Sequence, residues 1–280
     1  MTLDDFAFLA RLLRRRSGLS LTFDKMSLVE SRVETVMRRF DFRDMAALIR
    51  ELRAGRESLA ESVTEAMTVN ETSFFRDAAQ FQRLRDRVMP HLLQARAKPK
   101  RLRIWSAATA SGQEAFSIAI LLSELGLARE GWTIDLIATD LSAQAIARAE
   151  QGRYAACEVE RGLDESLLAH HFRKDGKDWV VGDSLRRLVT FRRFNLLDSF
   201  GWLDELDLVF CRNVLMYFDA ATRADVLERM ADSMAVDGVL LLGENEVPGI
   251  AAFKACPSDR SFYIKNRARF TRMLDQRFTA

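Results

Sequence analysis

Candidate ligand-binding residues lie where apolar runs of this chain end in polar side chains. In the run Ile104–Ile118 the pattern predicts a strand, a turn of small residues and then a helix. The turn holds one glycine, Gly112, whereas a loop that cradles a pyrophosphate typically has the spacing GxGxxG. The pattern therefore argues against NAD and FAD. Glu114, just inside the helix, has two interpretations: it compensates the helix dipole, or it meets a cationic ligand.

Further strand ends carry polar residues, and open α/β sheets bind ligands beyond the carboxyl ends of their strands. Asp140 ends the second predicted strand, where a carboxylate can accept hydrogen bonds from both ribose hydroxyls. The alternative for Asp140 is a helix cap, for which Ser142 is also available, and we favour the ribose. Tyr217 is either a site residue or a core aromatic with a solvated hydroxyl. The remaining candidates follow the next two predicted strands. Asn195 and Leu196 follow the third strand, where a simple turn is the alternative interpretation, and Arg212 and Asn213 follow the fourth.

A polar run with two phenylalanines interrupts the helical pattern of the N-terminal part. The run Asn70–Arg76 places Phe74 beside Phe75, and adjacent aromatics cannot share one narrow helix face. We therefore expect a packed loop or a helix start, with at least one of the two rings buried. Arg76, at the end of the run, is either a surface charge or a group that orients a carboxylate by a bidentate contact.

The rest of the chain supplies the elements that must position these residues. Apolar stripes at helical spacing predict helices through residues 1–95, one of them with the stripe Leu28, Val33, Val36, Met37 and Phe40. From residue 102 strands alternate with helices, which favours a mostly parallel sheet with helices on both faces. Strands are predicted at 102–106, 134–139, 188–194, 206–211 and 238–243, with a late edge strand at 261–265. The clearest helices are predicted at 77–95, 113–125, 142–150 and 220–235. Residues 153–187 interrupt the alternation and predict a small insertion with a β-hairpin.

Composition excludes several classes of protein. The 280 residues are 48% hydrophobic with a net charge of +2, which indicates a folded chain that is not a general nucleic-acid binder. The three cysteines are far apart and odd in number, so neither a disulfide framework nor a zinc site is expected, and no metal is predicted. No signal peptide is apparent and no run approaches the roughly 20 apolar residues that span a bilayer. We expect a soluble, cytoplasmic protein.

The three motifs Asn70–Arg76, Ile104–Ile118 and Asp207–Phe218 together, in this order and spacing, resemble the CheR-type chemotaxis receptor glutamate methyltransferases. The resemblance spans nearly the whole chain. It implies an α/β fold in which a small all-helical N-terminal domain, residues 1–95, precedes a Rossmann-like methyltransferase domain, residues 96–280, with a small β-subdomain inserted at 153–187. It implies S-adenosylmethionine as cofactor and S-adenosylhomocysteine as product.

The resemblance also implies roles for individual residues. Arg76 and Tyr217 match positions that line the catalytic centre. Departures from the family pattern are Gln113 where an acid is usual, Ala115-Phe116 in place of Pro-Tyr, and the run Gly243–Glu246 in place of a Gly-His-Ser-Glu-like run. The positions that match cofactor-binding residues are Asn70, Thr72, Arg76, Glu114, Asp140, Asn195, Leu196, Arg212 and Asn213.

The reaction that the resemblance implies needs little acid–base machinery. A substrate glutamate has a reference pKa of ~4.3, so its carboxylate is already a nucleophile at neutral pH and no general base is required. Alignment and exclusion of water remain as the enzyme's work. Arg76 is expected to position the carboxylate, and Tyr217 to border the methyl group.

Two other functions stay open on the sequence. One is a methyltransferase for another substrate, a small molecule or RNA. The other is a regulatory module that binds S-adenosylmethionine without catalysis. Under the leading hypothesis the partners are the cytoplasmic helices of methyl-accepting chemotaxis receptors, met by an arginine face at Arg14, Arg15 and Arg16, with no nucleic acid and no membrane insertion. The brief, charged hairpin turn in the insertion further predicts that the enzyme needs no receptor C-terminal peptide as a tether.

Overall fold

The computed structural model describes residues 1–256 and 259–265. Its N-terminal part is helical, as predicted. The helices there are α1 (Leu3–Ser17), α2 (Met26–Arg39), α3 (Met45–Arg53) and α4 (Glu57–Ala66), and they share one apolar core. The predicted stripe of α2 is wrong at Leu28, which is 43% exposed. The buried residue is its neighbour Val29, because spacings of four and three residues align Val29 with Val33 and Val36 on the inner face.

The predicted helix at 77–95 is one helical segment with an irregular middle. It consists of α5 (Ala78–Arg83), a π-helical turn (Leu84–Val88) and α6 (Met89–Ala95). The amide of Met89 donates to the carbonyl of Leu84, five residues back. Pro90 follows at once and has no amide to donate, so the widened turn accommodates a residue that an unbroken α-helix tolerates poorly.

The C-terminal part is built on one twisted sheet. Its described strands lie in the order β6-β2-β1-β7-β8-β10-β9, parallel from β6 to β8 and antiparallel beyond. The strands flanking the site are β1 (Arg101–Ala107), β2 (Thr133–Asp140), β6 (Val189–Arg193), β7 (Leu206–Cys211) and β8 (Met234–Leu242). The late strand prediction is wrong in one respect: β10 (Asp259–Ile264) is not an edge strand, because β9 (Lys254–Cys256) pairs outside it.

Helices cover both faces of this sheet. Successive residues of β1 point to opposite sides, so Ile104 joins one core cluster and Trp105 the other. The helices are α7 (Gln113–Glu124), α8 (Ala143–Gln151), α11 (Asp183–Arg186) and α12 (Ala220–Ser233). Ser142 caps α8, since its hydroxyl oxygen accepts from the Ala145 amide at 3.0 Å.

The insertion forms a three-stranded antiparallel sheet with two short helices. Its elements are β3 (Arg153–Ala155), α9 (Ala156–Glu160), α10 (Glu165–His171), β4 (Phe172–Asp175) and β5 (Asp178–Val181), in the strand order β3-β5-β4. The predicted hairpin is β4–β5, and its turn is Gly176-Lys177. We call this unit the β-subdomain.

The helical domain docks directly on the sheet domain through the end of α1. Gly18 ends α1 in the left-handed conformation (φ 76°), and a Cβ there would lie 2.9 Å from the ring of Phe218. The chain then runs antiparallel to the segment after β7: Leu19 bridges Phe218, and the Ser20 amide donates to the Tyr217 carbonyl at 2.8 Å. The helical domain therefore reaches the carboxyl edge of the sheet. Within the described ranges, no helix is long and apolar enough to cross a membrane.

Candidate cofactor and active site

A pocket lies at the carboxyl ends of β1, β2 and β7, where the helical domain closes over the sheet. Every residue that the sequence singled out for the cofactor or for catalysis lines this pocket. From the sheet domain these are Glu114, Asp140, Asn195, Leu196, Arg212, Asn213 and Tyr217, and from the preceding loop Asn70, Thr72 and Arg76. The structure thus brings together residues that are up to 147 positions apart in the chain, from Asn70 to Tyr217.

The floor of the pocket is a tight turn after β1. Ala108 and Ala110 adopt left-handed backbone angles (φ 62° and 52°), as does Gly112 (φ 93°). Such angles cost free energy in residues with a Cβ, and they are concentrated at functional sites. A Cβ at Gly112 would lie 2.8 Å from the Cβ of Ala149, so a side chain there would push the turn away from α8.

Each oxygen of the Asp140 carboxylate accepts a hydrogen bond from a different backbone amide. The Ala110 amide donates to its Oδ2 at 2.8 Å, and the Ser142 amide donates to its Oδ1 at 2.9 Å. Each carboxylate oxygen can accept a second hydrogen bond, so two hydroxyls of a ribose can still be bound. Burial raises the pKa of Asp140. Since Ser142 caps α8, the alternative of Asp140 as the helix cap is not what the structure shows.

Glu114 and Arg212 form a buried ion pair that the sequence did not predict. Glu114 Oε2 is 3.1 Å from Arg212 Nη1, and Glu114 Oε1 accepts from the Ser106 hydroxyl at 2.8 Å. Arg212 Nη2 also lies 2.5 Å from Asp77 Oδ2 and donates to the Arg76 carbonyl at 2.8 Å. The Arg212 side chain is 1% exposed. Its guanidinium is therefore used to build the pocket wall.

The charge of this cluster decides what ligand it favours. Two carboxylates, Glu114 and Asp77, surround one guanidinium, so this cluster carries a net charge of −1; Glu114 and Arg212 line the pocket wall, and Asp77 binds Arg212. A buried net negative charge favours a cation beside it and disfavours the phosphates of a dinucleotide. S-adenosylmethionine carries a sulfonium and an ammonium as well as a ribose, so the residues present fit this cofactor.

The run Asn70–Arg76 is a packed loop, as expected. Phe74 is 1% exposed and makes edge-to-face contacts with Tyr154 at 5.0 Å and Phe172 at 5.5 Å, both in the β-subdomain. Phe75 is partly buried, has φ 45°, and its amide donates to the Ser117 hydroxyl at 2.8 Å. The buried ring fixes the loop, so the polar residues on either side of it are presented to the pocket.

Arg76 and Tyr217 both line the pocket. Arg76 is half-buried, and its Nη1 donates to the Glu71 carbonyl at 3.2 Å, which leaves donors of the guanidinium for a ligand. Tyr217 is half-buried in a 3-10 turn, Leu215–Tyr217, and is held by its backbone, including the bond from Ser20. Tyr217 is thus a pocket residue and not an enclosed core aromatic.

Asn195 uses its side chain to join the two domains. Its Nδ2 donates to the Arg16 carbonyl at 2.6 Å, and its Oδ1 accepts from the Leu197 amide at 3.1 Å. The Leu196 side chain is buried beside it and lines the pocket. Asn195 therefore shapes the pocket by fixing the end of α1 and the turn after β6.

Glu246, within one of the family departures, anchors the loop after β7. Its Oε2 accepts from the amides of Asn213 at 2.7 Å and Gly243 at 3.0 Å, and its Oε1 accepts from the Met216 amide at 3.3 Å. Asn213 has a left-handed backbone (φ 58°), which this carboxylate holds in place. Glu246 is 7% exposed and thus supports the residues from Arg212 to Tyr217 from behind.

The other departures do not touch the pocket lining. Gln113 is 2% exposed and accepts from the Ser111 hydroxyl at 2.8 Å. Phe116 is fully buried, with ring contacts to Tyr154 at 6.3 Å and Phe191 at 5.5 Å. Both changes are accommodated in the core between α7 and its neighbours, so they alter packing and leave the pocket surface as it is.

Several lining residues were missed because they belong to the helical domain. No local signal in α1 or α4 marks a ligand site, since their apolar stripes are typical of any helical core. The structure places these residues on the pocket: Ser17, Leu19, Thr64 and Met67. The role of Asp77 was also missed: it directly follows the run that ends in Arg76, has a left-handed backbone (φ 61°), and holds Arg212 from outside the pocket lining.

The parallel sheet and the strand-end acid fit an S-adenosylmethionine-dependent methyltransferase, and the family models show that class. Residues 4–68 match the family model described as CheR methyltransferase, all-alpha domain, and residues 70–259 match CheR methyltransferase, SAM binding domain. The chain belongs to the CheR methyltransferase family, and it is a methyltransferase of chemotaxis.

Curated relatives agree with this assignment. The chain is 38% identical over 248 residues to chemotaxis protein methyltransferase 1 of Pseudomonas aeruginosa, a match that covers 86% of this chain and 89% of the relative. It is 38% identical over 250 residues to chemotaxis protein methyltransferase Cher2 of Pseudomonas putida, covering 86% and 90%. The alternative of a binding module without catalysis is thereby set aside.

Proposed function

We propose that this enzyme transfers the methyl group of S-adenosylmethionine to glutamate side chains of chemoreceptors and forms glutamate methyl esters. The observation that carries the proposal is that Glu114 and Arg212, whose cluster with Asp77 carries a net charge of −1, line the same pocket as Arg76. The cluster favours a cationic cofactor, and Arg76 adds a positive group that favours a carboxylate substrate. Among the described residues that line the pocket there is no histidine, which fits a nucleophile that needs no base.

In the proposed mechanism the residues of the pocket bind the cofactor and align the substrate carboxylate with it. Asp140 binds the ribose hydroxyls, and the net negative cluster binds the cationic end of the cofactor. When bound, S-adenosylmethionine supplies an electrophilic methyl group. Arg76 orients the substrate carboxylate without holding it so tightly that it loses nucleophilicity, and Tyr217 closes the pocket beside the reacting groups. Asn70 and Thr72 also line this pocket.

The test is transfer of a labelled methyl group to a purified receptor fragment. We expect label on the wild-type fragment and none on a fragment whose exposed glutamates are replaced by glutamine. Arg76→Ala should reduce transfer by about 100-fold, which is clearly more than it weakens binding of S-adenosylhomocysteine. Label on the glutamine fragment would contradict the assignment of glutamate as the acceptor.

The receptor helix is proposed to dock on an arginine face of α1 beside the pocket. The predicted face of Arg14, Arg15 and Arg16 needs correction, because Arg14 Nε lies 2.7 Å from Asp219 Oδ2 and Arg16 makes two hydrogen bonds to Glu57. These two arginines are engaged in ion pairs, and Arg14 stays 60% exposed. Within the described part of the chain, Arg11 and Arg15 are exposed and make no ion pair, so the corrected face is Arg11 and Arg15.

A charge-reversal pair tests this face. Arg11→Glu with Arg15→Glu should raise KM for an acidic receptor fragment and flatten its salt dependence, with binding of S-adenosylhomocysteine unchanged. Lys98→Glu is the matched control, because this exposed lysine precedes β1 at the opposite edge of the sheet. If Lys98→Glu raised KM as much as the reversals on α1 do, the receptor would not dock specifically on α1. We place the enzyme in the cytoplasm, where it would act on the cytoplasmic helices of the receptors.

We further propose that the enzyme does not use a receptor C-terminal tether. The edge strand β4 carries exposed Arg173 and Lys174, and Arg153 pairs with Asp175 and Asp178 across the sheet. Charges on an edge strand oppose addition of another strand, and the two-residue turn leaves little backbone free to hold a peptide end. Deleting the receptor tail should leave methylation unchanged, and a tail peptide that binds at micromolar concentration would overturn this proposal.

A further inference from the structure

The last turn of α4 contacts the strand end that carries Asp140. Glu65 is half-buried, and its Oε1 accepts from the Ser142 hydroxyl at 2.9 Å and from the Gln144 amide at 2.7 Å. These donors belong to the start of α8, where a helix dipole favours a negative charge. A carboxylate of the helical domain is therefore fixed at the helix that follows the ribose-binding strand.

Ser142 links this carboxylate to Asp140. Its amide donates to Asp140 Oδ1 at 2.9 Å, while its hydroxyl donates to Glu65 and accepts from the Ala145 amide. A serine hydroxyl has one proton to donate, so Glu65 sets the direction of that hydroxyl. Asp140 thus has one oxygen positioned by the turn after β1 and the other by a residue that the helical domain holds.

We infer that Glu65 is a positioning residue for the cofactor, which acts through Ser142 to orient the Asp140 carboxylate toward the ribose. The inference rests on the proposed role of Asp140. It has a consequence for the two domains: docking of the helical domain and binding of the cofactor favour each other, because each orders the same loop. The domain that meets the receptor then also sets the affinity for the cofactor.

Electrostatic repulsion between Glu65 and Asp140 alone predicts the opposite change in cofactor affinity when Glu65 is removed. Glu65 is a like charge near Asp140 and raises the pKa of Asp140, although burial is the larger cause. Removing Glu65 would on this ground favour the ionised form of Asp140 and strengthen ribose binding. A loss of affinity on removing Glu65 must therefore come from lost positioning.

The test measures the Kd of S-adenosylhomocysteine by calorimetry, which needs no receptor. Glu65→Ala should raise Kd about tenfold, as expected for one charge-assisted hydrogen-bond link. Glu65→Gln keeps an acceptor oxygen and should stay within about threefold of wild type. Glu61→Ala is the control, because Glu61 is one turn earlier on α4 and its carboxylate pairs only loosely with Arg193 at 3.6 Å. In methyl transfer, Glu65→Ala should raise KM for S-adenosylmethionine and leave kcat unchanged.

A double-mutant cycle separates positioning from general damage. In an Asp140→Asn background, Glu65→Ala should change Kd by less than about twofold, because the carboxylate that it positions is already absent. If Glu65→Ala does not fold, Ser142→Ala breaks the same link from the other side and should give the same tenfold loss. The inference would be overturned if Glu65→Ala still weakened binding tenfold in the Asp140→Asn background, or if Glu65→Ala alone left Kd unchanged. Failure to methylate a receptor fragment would contradict the proposed substrate and leave this comparison intact.

Discussion

Replacing Arg212 by methionine should destabilise the protein strongly. The substitution keeps much of the side-chain volume but removes the guanidinium that lies 3.1 Å from Glu114 and 2.5 Å from Asp77. The Arg212 side chain is 1% exposed and that of Glu114 is 11% exposed, so Glu114 would be left charged in a poorly hydrated place. Removing one partner of a buried pair typically costs about 3–5 kcal/mol. Because Asp77 is 29% exposed and Glu114 keeps its bond from Ser106, we expect about 3 kcal/mol.

The assay is urea unfolding of matched variants. Arg101→Met is the control, because Arg101 pairs with Asp135 at the same 2.5 Å but is 54% exposed, and such a pair contributes about 1 kcal/mol or less. The double variant Arg212→Met with Glu114→Gln should recover at least about 1 kcal/mol relative to Arg212→Met, since the unpaired charge is gone. A loss below about 1 kcal/mol for Arg212→Met, or a further loss in the double variant, would refute the reasoning.

Three other outcomes follow from the site and its supports. Glu114→Gln takes the cluster of Glu114, Asp77 and Arg212 from a net charge of −1 to zero and should weaken binding of S-adenosylmethionine about tenfold in a calorimetric titration. Since burial raises the pKa of Asp140 above its ordinary value of 3.8 and ribose hydroxyls bind its ionised form, cofactor affinity should fall as the pH drops through this raised pKa. Asp140→Asn should bind the cofactor weakly at every pH. If the affinity of this variant fell with pH as that of the wild type does, a group other than Asp140 would be responsible. Phe74→Ala should lower the free energy of unfolding by about 3–5 kcal/mol, and Phe75→Ala by clearly less, in the same urea experiment.

The pocket residues of the sheet domain were predicted because most of them lie at the ends of apolar runs, whereas Asn70 and Thr72 were predicted only from the family resemblance. Strand ends are readable from local pattern, and parallel strands bring their carboxyl ends to one edge. The position of Asp140 at the end of β2 was predicted for this reason. That at least one of Phe74 and Phe75 is buried was predicted from their adjacency, and the structure buries Phe74. The late strand was misplaced as an edge because β9 is only three residues long and carries no strand pattern of its own.

What the sequence could not predict depends on contacts between distant segments. The pairing of Arg212 with Glu114 joins β7 to α7, and the bond from Asn195 to the Arg16 carbonyl joins the two domains. Neither leaves a local pattern. The ion pairs within the arginine face were missed for the same reason, because the partner of Arg14 is Asp219, which caps α12 some 200 residues later.

The central claim is that this pocket makes glutamate methyl esters on a receptor, and the chemistry of the product tests it most directly. A receptor fragment methylated with labelled S-adenosylmethionine by the wild-type enzyme would be treated with mild alkali, and the released volatile label measured. We expect the label to leave as methanol, since esters hydrolyse under these conditions, and Arg76→Ala to yield little label to release. Label that stays on the fragment after alkali would show methylation of another group and would contradict the account.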